Sequence, residues 1–187
     1  MRGVNRILGC WAAVAMAGLL VVSLSEQVQA GKPLANVSGG GTAAFDEGEE
    51  NHGFTTQFSV GAIVRDEPVD NQCDEDLDGL GVGDFTVTDG DDFMAATGEF
   101  NCSLSIEDEG FVMIIGHVIQ GRVNDDGSVT LCGLADIPID TFSGESFVDC
   151  PFAVTFRADG SGFTYYDIIT GPAGDAETVE RGHINLH

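Results

Sequence analysis

The chain has 187 residues, with 7 Lys and Arg against 31 Asp and Glu, a formal charge of −24 and 43% hydrophobic residues. A balance this acidic repels nucleic acid and anionic lipid surfaces, invites cations, and destabilises a compact state unless salt or bound ions offset the self-repulsion. The acidity is read as serving divalent-ion binding, a saline habitat or simple solubility.

The N-terminus comes first. Arg2 and Arg6 form a positive region, "WAAVAMAGLLVVSL" from Trp11 to Leu24 is apolar, and Val28-Gln29-Ala30 supplies small residues at a cleavage position. This pattern predicts a secretory signal peptide over residues 1–30. The apolar run is short for a membrane span. It follows Cys10 instead of preceding it, which argues against lipidation there. No second long apolar run occurs. Residues 31–187 are therefore expected to form one β domain, secreted or periplasmic, with no membrane segment.

The domain reads as strands and turns. "FTTQFSV" sets Phe54, Phe58 and Val60 against Thr55, Gln57 and Ser59. The segment 66–92 is acidic and insertion-like, with at most a short strand in "DFTVT". "FNCSLSI" then sets Phe100, Cys102, Leu104 and Ile106 against Asn101, Ser103 and Ser105. This alternation is the period of a half-buried strand. "FVMII", Phe111 to Ile115, is continuously apolar and predicts a strand covered on both faces. "SVTLCGLADI", "FAVTF" and "FTYYDII" follow as further strands, with Asp126-Gly127 and Asp159-Gly160 as hairpin turns between them. In the last segment His183 is opposite in parity to Ile184 and Leu186, and is expected to face solvent. One shared core is expected from Phe54, Phe58, Phe100, Leu104, Val129, Leu131, Val154 and Phe156. No segment has a helical apolar stripe. The fold class is all-β: a single antiparallel β-sandwich or flattened barrel of about eight to ten strands.

The opening "NVSGGGTAAF", the central "GRVNDDGSVTLCG", the "FAVTFRADGSG" hairpin and the closing "ERGHINLH" together resemble a loose group of secreted bacterial all-β domains of uncharacterised activity. The resemblance implies a fold with a Gly-rich first strand and a Gly-x-Ile-x-Leu last strand, and an export route. It implies no activity, and the acidic segment is not part of its pattern.

That acidic segment holds the strongest chemical motif. "CDEDLDGLGVGD", Cys73 to Asp84, places Asp74, Asp76 and Asp78 two residues apart, and Gly79 allows a sharp bend. Calcium takes about six to eight oxygens at flexible geometry, and carboxylates so spaced on a turn can converge on one ion. The second half departs from an EF-hand loop: Phe85 stands where a bidentate Glu is required. Asp84 and the Leu80 carbonyl are the substitutes expected to complete the set. Calcium is the expected cofactor; the competing reading is a solvated acidic turn.

Cys73, Cys102, Cys132 and Cys150 remain after the signal. An even count in an exported chain favours two disulfides, and four thiols permit three pairings. The nearest-neighbour pairing, Cys73–Cys102 with Cys132–Cys150, is the expectation. A four-cysteine zinc site lacks its C-x-x-C knuckle. The histidines are scattered, and neither G-x-S-x-G nor H-E-x-x-H occurs. The functional reading is a non-enzymatic exported acidic domain of structural, adhesive or binding role, calcium-stabilised, whose protein or glycan partner the sequence does not name. A small-ligand-binding barrel and a carboxylate-based hydrolase are the alternatives.

Overall fold

In the computed structural model the described residues are 31–47, 55–69, 93–106, 110–141, 144–166 and 175–187. They form eight strands: β1 (Pro33–Phe45), β2 (Thr55–Pro68), β3 (Met94–Ile106), β4 (Gly110–Val123), β5 (Val129–Asp140), β6 (Phe147–Phe156), β7 (Gly162–Tyr166) and β8 (Asp175–Leu186). Each strand pairs antiparallel with the next, and β8 pairs with β1 to close the ring. No helix occurs among the described residues. The all-β expectation holds, in its barrel form.

Alternation builds the wall. Along β2, Thr56, Phe58, Val60, Ala62 and Val64 are buried while Thr55, Gln57, Ser59 and Gly61 are exposed. Successive side chains of a strand point to opposite faces, so one set fills the ring and the other meets water. Phe100 sits at the middle of the filling. Its ring lies 6.2 Å from Phe152, 6.0 Å from Phe156, 5.7 Å from Phe163 and 5.5 Å from Tyr165, centroid to centroid. Phe58 packs on Phe163 at 5.0 Å. Such tilted and offset aromatic pairs add about 0.5–1.5 kcal/mol beyond their buried area. Gly116 makes room for this cluster, because a Cβ there would come within 2.7 Å of the Phe152 ring.

The strands are staggered. A row of neighbours leaves β1 at Phe45 and passes Glu177, Phe163, Phe156 and Val129 to reach Val123. Completing the same turn from positions close by on β4 and β2, Gly121 neighbours Met94, Met94 neighbours Pro68, and Arg65 neighbours Pro33 at the start of β1. The row thus comes back displaced along almost the whole of β1, which is the shear that tilted strands require to close. The hairpin turns at Asp126-Gly127 and Asp159-Gly160 are present as expected. The glycines have φ of 83° and 70°, and each Asp Oδ1 accepts the backbone N–H of the serine two residues on, at 2.8 and 2.9 Å.

The Gly-rich opening and the closing Gly-x-Ile-x-Leu segment turn out to face each other. Gly39, Gly40 and Gly41 pair with Ile184, His183 and Gly182. A Cβ on Gly41 would lie 1.8 Å from the Arg181 carbonyl oxygen, and one on Gly182, whose φ is 106°, would lie 2.0 Å from that of Gly40. The seam closes only with glycine at both positions.

Several expectations are corrected. "FVMII" is not covered on both faces: Val112 and Ile114 are buried in the ring, while Phe111, Met113 and Ile115 lie half-buried on its outside. A closed ring has one interior, and among the described residues no second layer covers this face. Of the expected core, Phe58, Phe100, Val129, Leu131, Val154 and Phe156 are buried together, but Leu104 is only half-buried. Phe54 lies outside the described residues, as does "DFTVT". Of "FTYYDII", Phe163 to Tyr166 lie in β7, and residues 167–169 lie outside the described residues. His183 is exposed and Ile184 buried, as parity requires. The nearest-neighbour disulfides do not form: Cys102 and Cys150 are buried and neither is in a disulfide. β3 and β6 carry these two cysteines as inward residues of the core. Cys132, fully buried on β5, has its disulfide partner outside the described residues.

Truncating Phe156→Ala is expected to cost about 3–5 kcal/mol in denaturant unfolding, as core aromatic truncations do. A cost below about 1 kcal/mol would mean that the ring interior is not the principal core.

Candidate binding face

The outer wall of β2, β3 and β4 presents a grid set by strand register. Gln57, Ser59 and Gly61 of β2 stand opposite Ser103, Asn101 and Glu99 of β3. These in turn stand opposite Met113, Ile115 and His117 of β4. Two adjoining open depressions of about 480 and 550 Å³ lie over this grid and share Ser59, Glu99 and Asn101 in their walls. The first has Gly61 and Gly98 at its margin; the second extends to Gln57, Ser103, Met113 and Ile115. Gly61 is the low point of the surface, since a Cβ built on it would meet nothing within 4 Å.

Chemically the grid divides into two strips. The β2–β3 side offers hydroxyls, amides and the Glu99 carboxylate; the β4 side offers the half-buried side chains of Met113 and Ile115. The Asn101 Oδ1 is buried and has no hydrogen-bond partner. Leaving such an acceptor unpaired costs about 1–3 kcal/mol. Glu99 is the one carboxylate among the described residues that line the two depressions.

Two other polar groupings are structural. Inside the ring the buried Thr56 hydroxyl donates to the Glu177 carboxylate, joining β2 to β8 across the interior. Outside, Arg157 just past β6 forms an ion pair with Asp46 just past β1, and the Thr178 hydroxyl of β8 donates to Asp46 Oδ1 at 2.6 Å. The stagger of the strands brings the ends of β1 and β6 together there. Partial burial pushes the Asp46 carboxyl up, but the hydrogen bonds from Thr178 and Arg157 and the guanidinium charge outweigh it and hold it below its ordinary value of 3.8.

Asp74, Asp76, Asp78, Leu80 and Asp84, the sequence-predicted calcium ligands, lie outside the described residues, as does Cys73. β2 ends and β3 begins at the end of the ring that carries the Asp126 and Asp159 turns. Those two carboxylates are engaged by Ser128 and Ser161, whose hydrogen bonds hold both below the ordinary carboxylate range. Among the described residues no group of three or more His, Cys, Asp or Glu side chains is placed to hold a metal ion. The outer-face residues are legible in the sequence only as the polar partners in "FTTQFSV" and "FNCSLSI". That they face each other across one groove depends on the β2–β3 register.

The site and fold define an eight-stranded antiparallel barrel with a filled apolar interior and a mixed polar and apolar outer face. The chain has no match among protein-family models, curated proteins or solved structures.

The Asp46 clasp yields a pH prediction. A carboxyl whose folded value is depressed contributes stability above its unfolded value and loses it as pH falls through the folded one. Asp46→Asn is expected to cost about 0.5–1 kcal/mol at neutral pH, the pair being one-third exposed and screened by solvent. In thermal melts the gap between variant and wild type should close as pH drops below about 3.8 and narrow in high salt. A gap independent of both would mean that charge contributes nothing to the clasp.

Proposed function

We propose that the protein is an exported, non-enzymatic binding or adhesive module that engages its partner through the outer wall of β2, β3 and β4. One observation carries this reading. Phe58, Phe100, Phe152, Phe156, Phe163 and Tyr165 fill the middle of the ring, whereas the open depressions with hydrogen-bonding walls lie outside it. This favours surface recognition over a ligand held in the barrel. Among the described residues one carboxylate, Glu99, lines the groove, which favours binding over glycoside cleavage, a reaction that uses a pair. The polarity of the wall also supports a domain in water. Membrane barrels turn an apolar band outward and polar residues inward, and the alternation of β2 and β3 runs the other way. No helix among the described residues is long and apolar enough to cross a membrane.

The test is retention. Fluorescently labelled mature protein, from Gly31 onward, is applied to washed cells of the producing organism. Gly61→Trp fills the low point of the face with little expected change in melting temperature, because nothing lies within 4 Å of a Cβ there. Wild type should be retained and Gly61→Trp should wash off. Equal retention of both, or of neither, would overturn the reading.

Calcium is proposed as a stabilising ion in the 66–92 segment, with Asp74, Asp76, Asp78, Asp84 and the Leu80 carbonyl as ligands. Support comes from the Asp-x-Asp-x-Asp-Gly spacing. Calcium at about a hundredfold above its Kd would add about 2.7 kcal/mol to stability. Asp76→Asn combined with Asp78→Asn should abolish that gain and leave the chelated protein unharmed. If sodium at equal ionic strength raises the melting temperature as much as calcium does, the aspartates act only as a screened acidic turn.

A further inference from the structure

We propose that the outer groove binds a neutral saccharide chain, one pyranose ring seated over Gly61 against Asn101 and its neighbours; this rests on reading the β2–β3–β4 wall as the binding face. The argument begins with what the groove offers. Gln57, Ser59, Asn101 and Ser103 carry amides and hydroxyls, groups that donate and accept at once. A ligand that satisfies all four must itself donate and accept at several closely spaced points. Sugar hydroxyls have this property.

Other ligand classes fit less well. An anion would approach Glu99 on a chain of charge −24. A metal ion would find one carboxylate among the described lining residues. An extended peptide binds by adding a strand to an open sheet edge, and the ring has none: β2, β3 and β4 are each hydrogen-bonded to a strand on both sides. A wholly apolar ligand would bury the amides and hydroxyls unpaired, at a cost for each.

The apolar strip supplies the remaining contact. Met113 and Ile115 stand beside Ser103 and Asn101 in register, so a ring hydrogen-bonded to β3 can rest its C–H face on β4. Asn101 is the specific anchor. Its Oδ1 has no partner in the unliganded wall, and a turn of the amide toward the groove would let a sugar hydroxyl donate to it. Glu99 accepts a second hydroxyl at the same margin. The two depressions each fall within the range of about 300–1,000 Å³ usual for small-ligand sites, and their shared wall suits two or more linked rings. The groove is open, so affinity per ring is weak and gains come from chain length.

The test uses hexasaccharides of glucose (β-1,4 and α-1,4), mannose and N-acetylglucosamine, titrated into the mature protein and followed by calorimetry and backbone amide NMR. At least one series should saturate by about 10 mM, shifting amides of Ser59, Gly61 and Asn101. Gly61→Trp and Asn101→Leu should each weaken binding at least about tenfold, whereas His183→Ala on β8 should bind as wild type. Asn101→Leu serves alone if Gly61→Trp melts early. The proposal falls if no series saturates, or if both groove variants bind like wild type. Retention on cells that persists when every hexasaccharide fails would sink the saccharide and leave the binding face standing.

Discussion

The whole structure depends on one contact, the antiparallel pairing of β1 with β8. The other neighbours in the ring are adjacent in sequence and need only a connecting segment to bring them together. Closure instead joins strands from opposite ends of the domain, and it does so at very short backbone separation. Gly41 and Gly182 meet where a Cβ on either would fall 1.8 or 2.0 Å from a facing carbonyl oxygen, far inside van der Waals contact. Everything inside follows from that closure. An open, curled sheet would leave Phe45, Val37 and Ile184 facing water, whereas the ring buries all three. The Asp46–Arg157 pair and the Thr56–Glu177 bond reinforce the same side of the molecule, tying β1 to β6 and β2 to β8.

Because the interior is packed solid at its centre by aromatic rings, the molecule divides its chemistry by face. Inward positions carry stability, and outward positions are released from that demand. The outward set is uneven round the ring. β2 and β3 expose glutamine, serine, asparagine and glutamate, while β4 exposes methionine and isoleucine, and the boundary between the two chemistries is the β3–β4 pairing. Polar and apolar strips side by side on a rigid wall can orient a ligand without a deep pocket.

Much of this was legible in the sequence. The alternations in "FTTQFSV", "FNCSLSI" and "FAVTF" give the inward faces, since period two survives in any half-buried strand. The Asp-Gly pairs give two turns, because the backbone there demands φ that glycine tolerates. Less accessible was anything that depends on register. Nothing local says that Ser59 stands across from Asn101, or that Gly61 is a depression instead of a turn. The two-sided reading of "FVMII" failed for a related reason: a continuous apolar run is equally consistent with a buried central strand and with a barrel strand that carries apolar residues on its outer wall. The disulfide expectation failed because sequence proximity carries no information about facing, and both Cys102 and Cys150 point into the core. Glu177 shows the converse, an acid in the polar run "DAETVERGH" that tertiary contacts draw inside to meet Thr56.

The order of the strands bears on how the chain reaches this state. Seven of the eight pairings join consecutive strands, so a curled sheet can grow by successive hairpins before the ring exists. Until β8 reaches β1, that sheet has two unpaired edges, each a template for another chain. The glycines of the seam make those edges flexible and bare of side chains that would obstruct a foreign strand. Molecules emerging together in quantity would therefore be most vulnerable to exchanging first and last strands during the interval before closure, and a crowded folding environment would select for rapid annealing of the two ends.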